Sequence, residues 1–336
     1  MEGFDKKHPG FDKVVGPVEH EAELLRLHIA EKILKEKPEI KESEREKTTE
    51  EEMMIFGILK KIPEFVKEYG GEKARFTSID QIHILTSSEI NAGNILLKHS
   101  ETVGGCYQTL NGRIDVVSSP EKEDILETAH VLTHELMHTN SFASLTVAHK
   151  KNAATETEIR TRRSGISIKG REQSPEENNF FLSVNEAVTE ELARRFMNKY
   201  FSNIKPLSEK FKKYTEDGDK MKKNINTKER PAVEVVIEFL LNPNGPAAAY
   251  VGERVEFLTM IKEVFIKNKD KFETREDVFK VFSMAYFTGR LLPLSRLLEK
   301  TFGKGSFGRF AENSRKRSNF VDKLTKELIS ESENTK

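Results

Sequence analysis

Five residues near the middle of the chain, His134-Glu135-Leu136-Met137-His138, restrict the fold more than any compositional property does. They sit in a pattern of Ile125, Leu126, Ala129, Leu132, Leu136 and Met137 that predicts a largely buried helix. That helix is expected to open at Ser119-Pro120, carry Glu121, Glu123 and Asp124 at the positive end of its dipole, and run to about Phe142. A spacing of four turns both imidazoles onto one face, about one turn apart, so that two nitrogens can reach one metal ion. Glu135, beside the first of them, can then contact a metal-bound water as general base.

A catalytic zinc ion needs a third protein ligand and an open position. Asn185-Glu186-Ala187-Val188-Thr189-Glu190 opens a second predicted helix, which passes Leu192 and Phe196 to Tyr200. Glu186 and Glu190 are again four apart and share a face, so one can bind metal while the other orients a ligating imidazole through its second ring nitrogen. The two helices are distant in sequence, and the fold must bring them together.

The chain has 336 residues, with 55 Lys plus Arg against 55 Asp plus Glu, so it lacks the basic excess expected of a protein that lives on nucleic acid. Trp is absent and no basic stretch interleaves with aromatics. No apolar run is long enough to span a bilayer, and the first residues lack the apolar stretch of a secretory signal. The one cysteine, Cys106, excludes an internal disulfide, and a cytoplasmic setting is the expectation.

Around the two motifs the patterning is mixed, and the expected class is α+β: a small sheet with a hairpin edge beside the active helix, then a mainly helical C-terminal part. Residues 1–50 read as a flexible arm, an amphipathic helix over Glu21–Lys35 and a charged linker, residues 51–200 as the catalytic subdomain, and 201–336 as a helical subdomain. A helix from Glu51 to Tyr69 is stopped by Gly70-Gly71, and Gln81–Thr86 alternates as a short strand. Tyr107–Leu110 and Arg113–Val117 flank Asn111-Gly112, which predicts a hairpin with a two-residue turn. Alternation between Ala153 and Lys169 around Arg163-Ser164-Gly165 predicts a second hairpin, on the surface. Gly303-Lys304-Gly305-Ser306 lacks the upstream glycine and strand of a phosphate loop and reads as a helix cap. His130, one turn before His134, either faces the site or packs in the helix interior, and His149 is a weaker candidate still.

Through HELMH at 134–138 and NEAVTE at 185–190, the chain resembles the gluzincin metallopeptidases, of which thermolysin is the familiar case. The resemblance covers about residues 81–200, while the helical tail is more similar to a group of bacterial proteins with the same motif pair. It implies one Zn2+ per chain held by His134, His138 and Glu186, with Glu135 as base, Glu190 holding His134 and Asn185 supporting His138. It also implies a zincin-like core whose hairpin edge receives an extended peptide. The interval between His138 and Glu186 is longer than in thermolysin-like enzymes, so the second hairpin is expected to be an insertion that leaves the helices adjacent. No histidine follows His149, which leaves oxyanion stabilisation to Tyr250 or Arg254, four apart on a predicted helix. A metzincin would need Gly and His where the chain has Ser141 and Ser144.

The expected activity is therefore zinc-dependent hydrolysis of peptide bonds in a peptide or protein substrate, through a zinc-bound water activated by Glu135, with neither nucleic acid nor membrane as partner. The alternatives are a catalytically inactive zinc-binding scaffold and a metal-free helical interaction protein. Substrate preference, endo- or exopeptidase action and oligomeric state have no signature in the sequence.

Overall fold

The computed structural model describes residues 12–15, 35, 39–86, 104–110, 112–118, 124–150, 153–170, 179–224 and 250–314. In chain order the elements are β1 (Lys13–Val15), α1 (Glu39–Glu42), β2 (Glu44–Arg45), α2 (Thr49–Glu68), β3 (Ile82–Leu85), β4 (Gly105–Gln108), β5 (Arg113–Val117) and α3 (Ile125–Asn140). There follow β6 (Ala143–Lys150), β7 (Ala153–Ser164), β8 (Ser167–Lys169), β9 (Asn179–Phe180), α4 (Leu182–Tyr200) and α5 (Ser208–Asn224). The last are α6 (Val251–Lys267), α7 (Arg275–Thr288), α8 (Leu291–Phe302) and α9 (Ser306–Asn313). The fold is α+β, as the patterning predicted. No helix among the described residues is long and apolar enough to cross a membrane.

One sheet has the order β2-β3-β5-β4, with β3 and β5 parallel and the β4/β5 hairpin at one edge. Ile82, Ile84, Ile114 and Val116 are fully buried against the helical layer, while Arg113 and Asp115 take the opposite face, where Asp115 accepts from Arg113 Nε at 2.6 Å and from Gln108 Nε2 at 3.0 Å. The hairpin closes with a longer loop than the two residues expected: the last pair is Gln108↔Arg113, and Gly112, at φ 73°, donates its N–H back to the Gln108 carbonyl. Asn111 lies outside the described residues.

The charged stretch expected as a linker is structured. Its Arg45 forks onto Glu51 at 2.9 and 2.7 Å, Thr48 and Glu51 form a reciprocal cap on α2, and Glu44 pairs with His83 at 2.7 Å, which draws β2 onto the sheet edge. The amphipathic helix expected over Glu21–Lys35 lies outside the described residues except for Lys35.

α3 begins at Ile125 under an Asp124 cap, and the expected opening at Ser119-Pro120 lies outside the described residues. α3 stops at Asn140, where the Ser141 hydroxyl donates to the His138 carbonyl. The second sheet, ordered β1-β6-β7-β8-β9, occupies the interval between α3 and α4. Its β6 strand was not foreseen, and β6 and β7 pair along their length as a ribbon. The expected second hairpin exists as β7 and β8, but its turn is not on the surface: Ile166 is fully buried, and a Cβ on Gly165, at φ 59°, would lie 2.7 Å from the Tyr286 ring. The β6/β7 ribbon and the β7/β8 hairpin occupy the interval between α3 and α4, and the β7/β8 turn returns the chain to the helices.

α3 packs directly on α4, and α6 and α7 also pack on α4. One apolar core runs from Met54 and Ile58 on α2 through Leu132 and Leu136 on α3 and Val188 and Phe196 on α4 to Phe279, Phe282 and Phe310 in the C-terminal helices. Gly303 ends α8 and Gly305 precedes α9, so the Gly-Lys-Gly-Ser stretch is a pair of helix caps.

Candidate metal centre

The side chains of α3 divide between two environments. Ala129, Leu132, Leu136 and Met137 are fully buried in the core, while His130, His134, Glu135 and His138 meet α4 or the hairpin edge. The rings of His134 and His138 lie one turn apart with centroids 4.9 Å apart, inclined by 72°. α4 places Glu186 opposite both: its Oε2 is 3.3 Å from His138 Nε2 and 3.7 Å from His134 Nε2. The three ligand atoms lie within 4.8 Å of one another, and His134, His138 and Glu186 could hold a metal ion. Burial makes the arrangement demanding, because Glu186 and His134 keep only 8% and 7% of their surface. Burial alone would push the Glu186 carboxyl up, yet the facing imidazoles outweigh it and hold the group well below the usual carboxylate range. Burial likewise disfavours the imidazolium of His134, but Glu186, Glu190 and Glu135 reverse this and raise it to about 10. The three buried carboxylates, Glu135, Glu186 and Glu190, give the site an electrostatic environment in which a metal ion could be held.

Glu190, one turn beyond Glu186 on α4, accepts from His134 Nδ1 at 2.9 Å through Oε2. Nε2 of His134 is thereby turned towards Glu186 and His138, and it carries a lone pair for a metal ion once the ring is neutral with its proton on Nδ1. The other oxygen, Oε1, is 2.9 Å from both His130 Nε2 and Arg194 Nε. His130 therefore packs behind Glu190 rather than among the ligand atoms. His149 lies in β6, on the ribbon.

Glu135 is also buried, and burial pushes its carboxyl up, against the pull of His134 and His138, while the backbone N–H of Tyr107 donates to it. Cys106 and Asp115 form a hydrogen-bonded pair on the inner side of β4, so Tyr107 turns its amide away from β5 towards α3. Such proximity needs Gly105: a Cβ there would lie 2.6 Å from Val131 and 3.0 Å from Glu135 Cγ. Cys106, beside it, has its thiol pushed up by burial and by the charges of Glu135 and Asp115, so it is a poor nucleophile.

Two expectations are corrected. Asn185 does not support His138; its Oδ1 accepts from Ile166 N–H at 3.0 Å and Ser167 N–H at 3.4 Å, because the buried β7/β8 turn leaves those amides facing α4. Arg254 turns onto Glu191, with Nε and Nη2 each 2.8 Å from Oε1, because a carboxylate buried next to Glu190 needs a counter-charge. Glu191 also binds Arg195, which continues to Glu276 at 3.0 Å, so an ion-pair chain ties α6, α4 and α7 together. Tyr250 does reach the centre, although it precedes α6 instead of lying in it: its ring stacks on His134 with centroids 5.5 Å apart.

Phe181 and Tyr250 are the non-glycine residues with positive φ among those described, at 62° and 58°, and each immediately precedes a helix that supplies the site. Left-handed backbone at such residues is strained and persists only where surrounding contacts impose it. Phe181 is buried against Phe307 and Phe310 and donates its N–H to Ala311, while Tyr250 lies on His134. The sequence analysis missed Gly105, the Tyr107 amide, Arg194 and Tyr286, whose buried hydroxyl is 2.9 Å from Thr189 Oγ1. Only the Glu190/Arg194 spacing of four carried a signal that could have found one of them. Comparisons with protein families, curated proteins and solved structures yield no match to this chain.

Proposed function

We propose that this chain is a zinc-dependent metallopeptidase of gluzincin type. The observation that carries the reading is the convergence of His134 Nε2, His138 Nε2 and Glu186 Oε2, with Glu190 fixing His134 from behind and Glu135 alongside. Ligands about 2.0–2.1 Å from a tetrahedral zinc ion stand roughly 3.4 Å apart. The 3.3 and 3.7 Å separations of Glu186 from the two imidazoles fit that set, and two imidazoles with one carboxylate suit zinc.

Zinc bound there supplies Lewis acidity, polarising a scissile carbonyl and acidifying water. Glu135 takes the proton of the attacking water on its carboxylate and passes it to the leaving amine; burial, by raising its affinity for the proton, suits it to both steps. Glu190 keeps the His134 proton on Nδ1. The Tyr250 hydroxyl is the donor to the developing oxyanion, in place of a downstream histidine. The β4 edge accepts the substrate as an added strand, and Glu135 exchanges the Tyr107 amide for the reacting water as the peptide enters.

Elemental analysis of purified wild type and Glu186→Ala tests the reading, together with cleavage of a peptide library with and without chelator. About one zinc per wild-type chain, much less in the variant and chelator-sensitive cleavage are expected; a zinc-free wild type, purified with zinc available, overturns it. The engagement of Glu135 by Tyr107 favours a second reading, a zinc-binding scaffold without turnover, which predicts zinc but no cleavage.

A further inference from the structure

His130 is 3% exposed and lies outside the ligand set, and its Nδ1 has no hydrogen-bond partner among the described residues. An apolar side chain would fill such a position without leaving a buried polar atom unsatisfied. What the imidazole contributes is its one hydrogen bond, from Nε2 to Glu190 Oε1 at 2.9 Å.

That bond acts on a group with two jobs. The terminal torsion of a glutamate is broad, so helix geometry does not orient the carboxylate of Glu190. Two donors meet on Oε1: Arg194 Nε, from one turn along α4, and His130 Nε2, from α3. His134 Nδ1 alone of these donors takes Oε2, at 2.9 Å. His130 and His134 are one turn apart on α3, so they grip the two oxygens of one carboxylate from a single rigid helix. Arg194 supplies the countercharge and ties Glu190 to α4, whereas His130 sets where the carboxylate stands relative to the helix that carries both imidazole ligands.

We infer that His130 is a positioning residue of the metal centre: it orients Glu190 so that His134 presents Nε2 to the ion. This inference rests on the reading of His134, His138 and Glu186 as a metal centre. Removing an outer-shell partner of a ligating histidine typically weakens metal binding 10- to 100-fold, and a residue one step further out should act at the lower end of that range.

The test measures zinc affinity by competition with a colorimetric chelator for wild type, His130→Phe, His130→Asn and His130→Gln, with circular dichroism of each zinc-free protein as the check on folding. Gln can place an amide N–H where Nε2 stood, whereas Asn is too short and Phe has no donor. The expected result is affinity about tenfold weaker for Phe and Asn and within about twofold of wild type for Gln. If Phe fails to fold, the Asn and Gln pair decides. Equal affinity in Asn and wild type, or a Gln variant as weak as Asn, overturns the positioning role while leaving the metal centre intact. A folded wild type that competes for no zinc overturns both.

Discussion

The ring of Tyr250 lies parallel to the imidazole of His134, with centroids 5.5 Å apart and planes within 3°. The stack covers one face of the His134 ring and brings a phenol to the candidate metal centre from the start of α6. Tyr250→Phe keeps the ring and removes the hydroxyl. Zinc content should be unchanged, KM little altered, and kcat on a cleaved peptide lowered about 100-fold, the usual loss for one oxyanion donor. An unchanged kcat would assign Tyr250 to packing alone.

Glu135→Gln keeps the size of the base and its acceptor for the Tyr107 amide, but has no carboxylate to take a proton. It should retain about one zinc per chain by elemental analysis and lose about 1,000-fold in peptide cleavage. A fully active variant would rule out Glu135 as base.

Gly105→Val forces the β4 edge away from α3, since even its Cβ would meet Val131 at 2.6 Å and Glu135 Oε1 at 3.1 Å. Overpacking of this kind costs about 2 kcal/mol, readable in a denaturant titration of the zinc-free protein. On the proposed docking of a peptide along the β4 edge, cleavage should fall further than stability alone explains.

Arg254→Met leaves Glu191 buried with Arg195 as its remaining partner and should destabilise the protein by about 3 kcal/mol. Burial pushes the Glu191 carboxyl up, but Arg254 and Arg195 outweigh it and hold it below 4.5 in the folded chain. Its contribution to stability is therefore complete above the unfolded carboxyl's pKa and is lost as pH falls through the lower, folded value. The melting temperature of the wild type should drop more steeply on acidification below about pH 4.5 than that of Arg254→Met.

Chelation should lower the melting temperature, since a metal that binds only the folded state stabilises it by about 4 kcal/mol at a thousandfold excess over Kd. In a chain of this size that corresponds to several degrees. Glu186→Ala should melt at one temperature with or without chelator.

Local signals carried the helices and the hairpins because they depend on neighbours in sequence. The four-residue spacings His134/His138 and Glu186/Glu190 each define a helical face without reference to the rest of the chain, and α3, α4 and β5 lie close to where periodicity placed them. The partners of Asn185, Arg254 and His130 were not legible, because each is chosen by an element from elsewhere in the chain. Asn185 caps a turn that the ribbon folds back, Arg254 answers a buried acid on α4, and His130 meets Glu190 across the α3/α4 contact. The charged stretch around Arg45 reads as solvated because composition cannot show that Glu51 and His83 will stand beside it.

The sequence by itself determined which side chains could share a helix face, and hence that His134 and His138, or Glu186 and Glu190, could act together, because helical periodicity is a property of the local backbone. Tertiary structure decided that the two faces meet, that Glu190 serves His134 and His130 at once, and that Tyr250 rather than Arg254 reaches the centre. Those outcomes follow from packing one continuous core, in which buried charges must find partners wherever the neighbouring elements supply them.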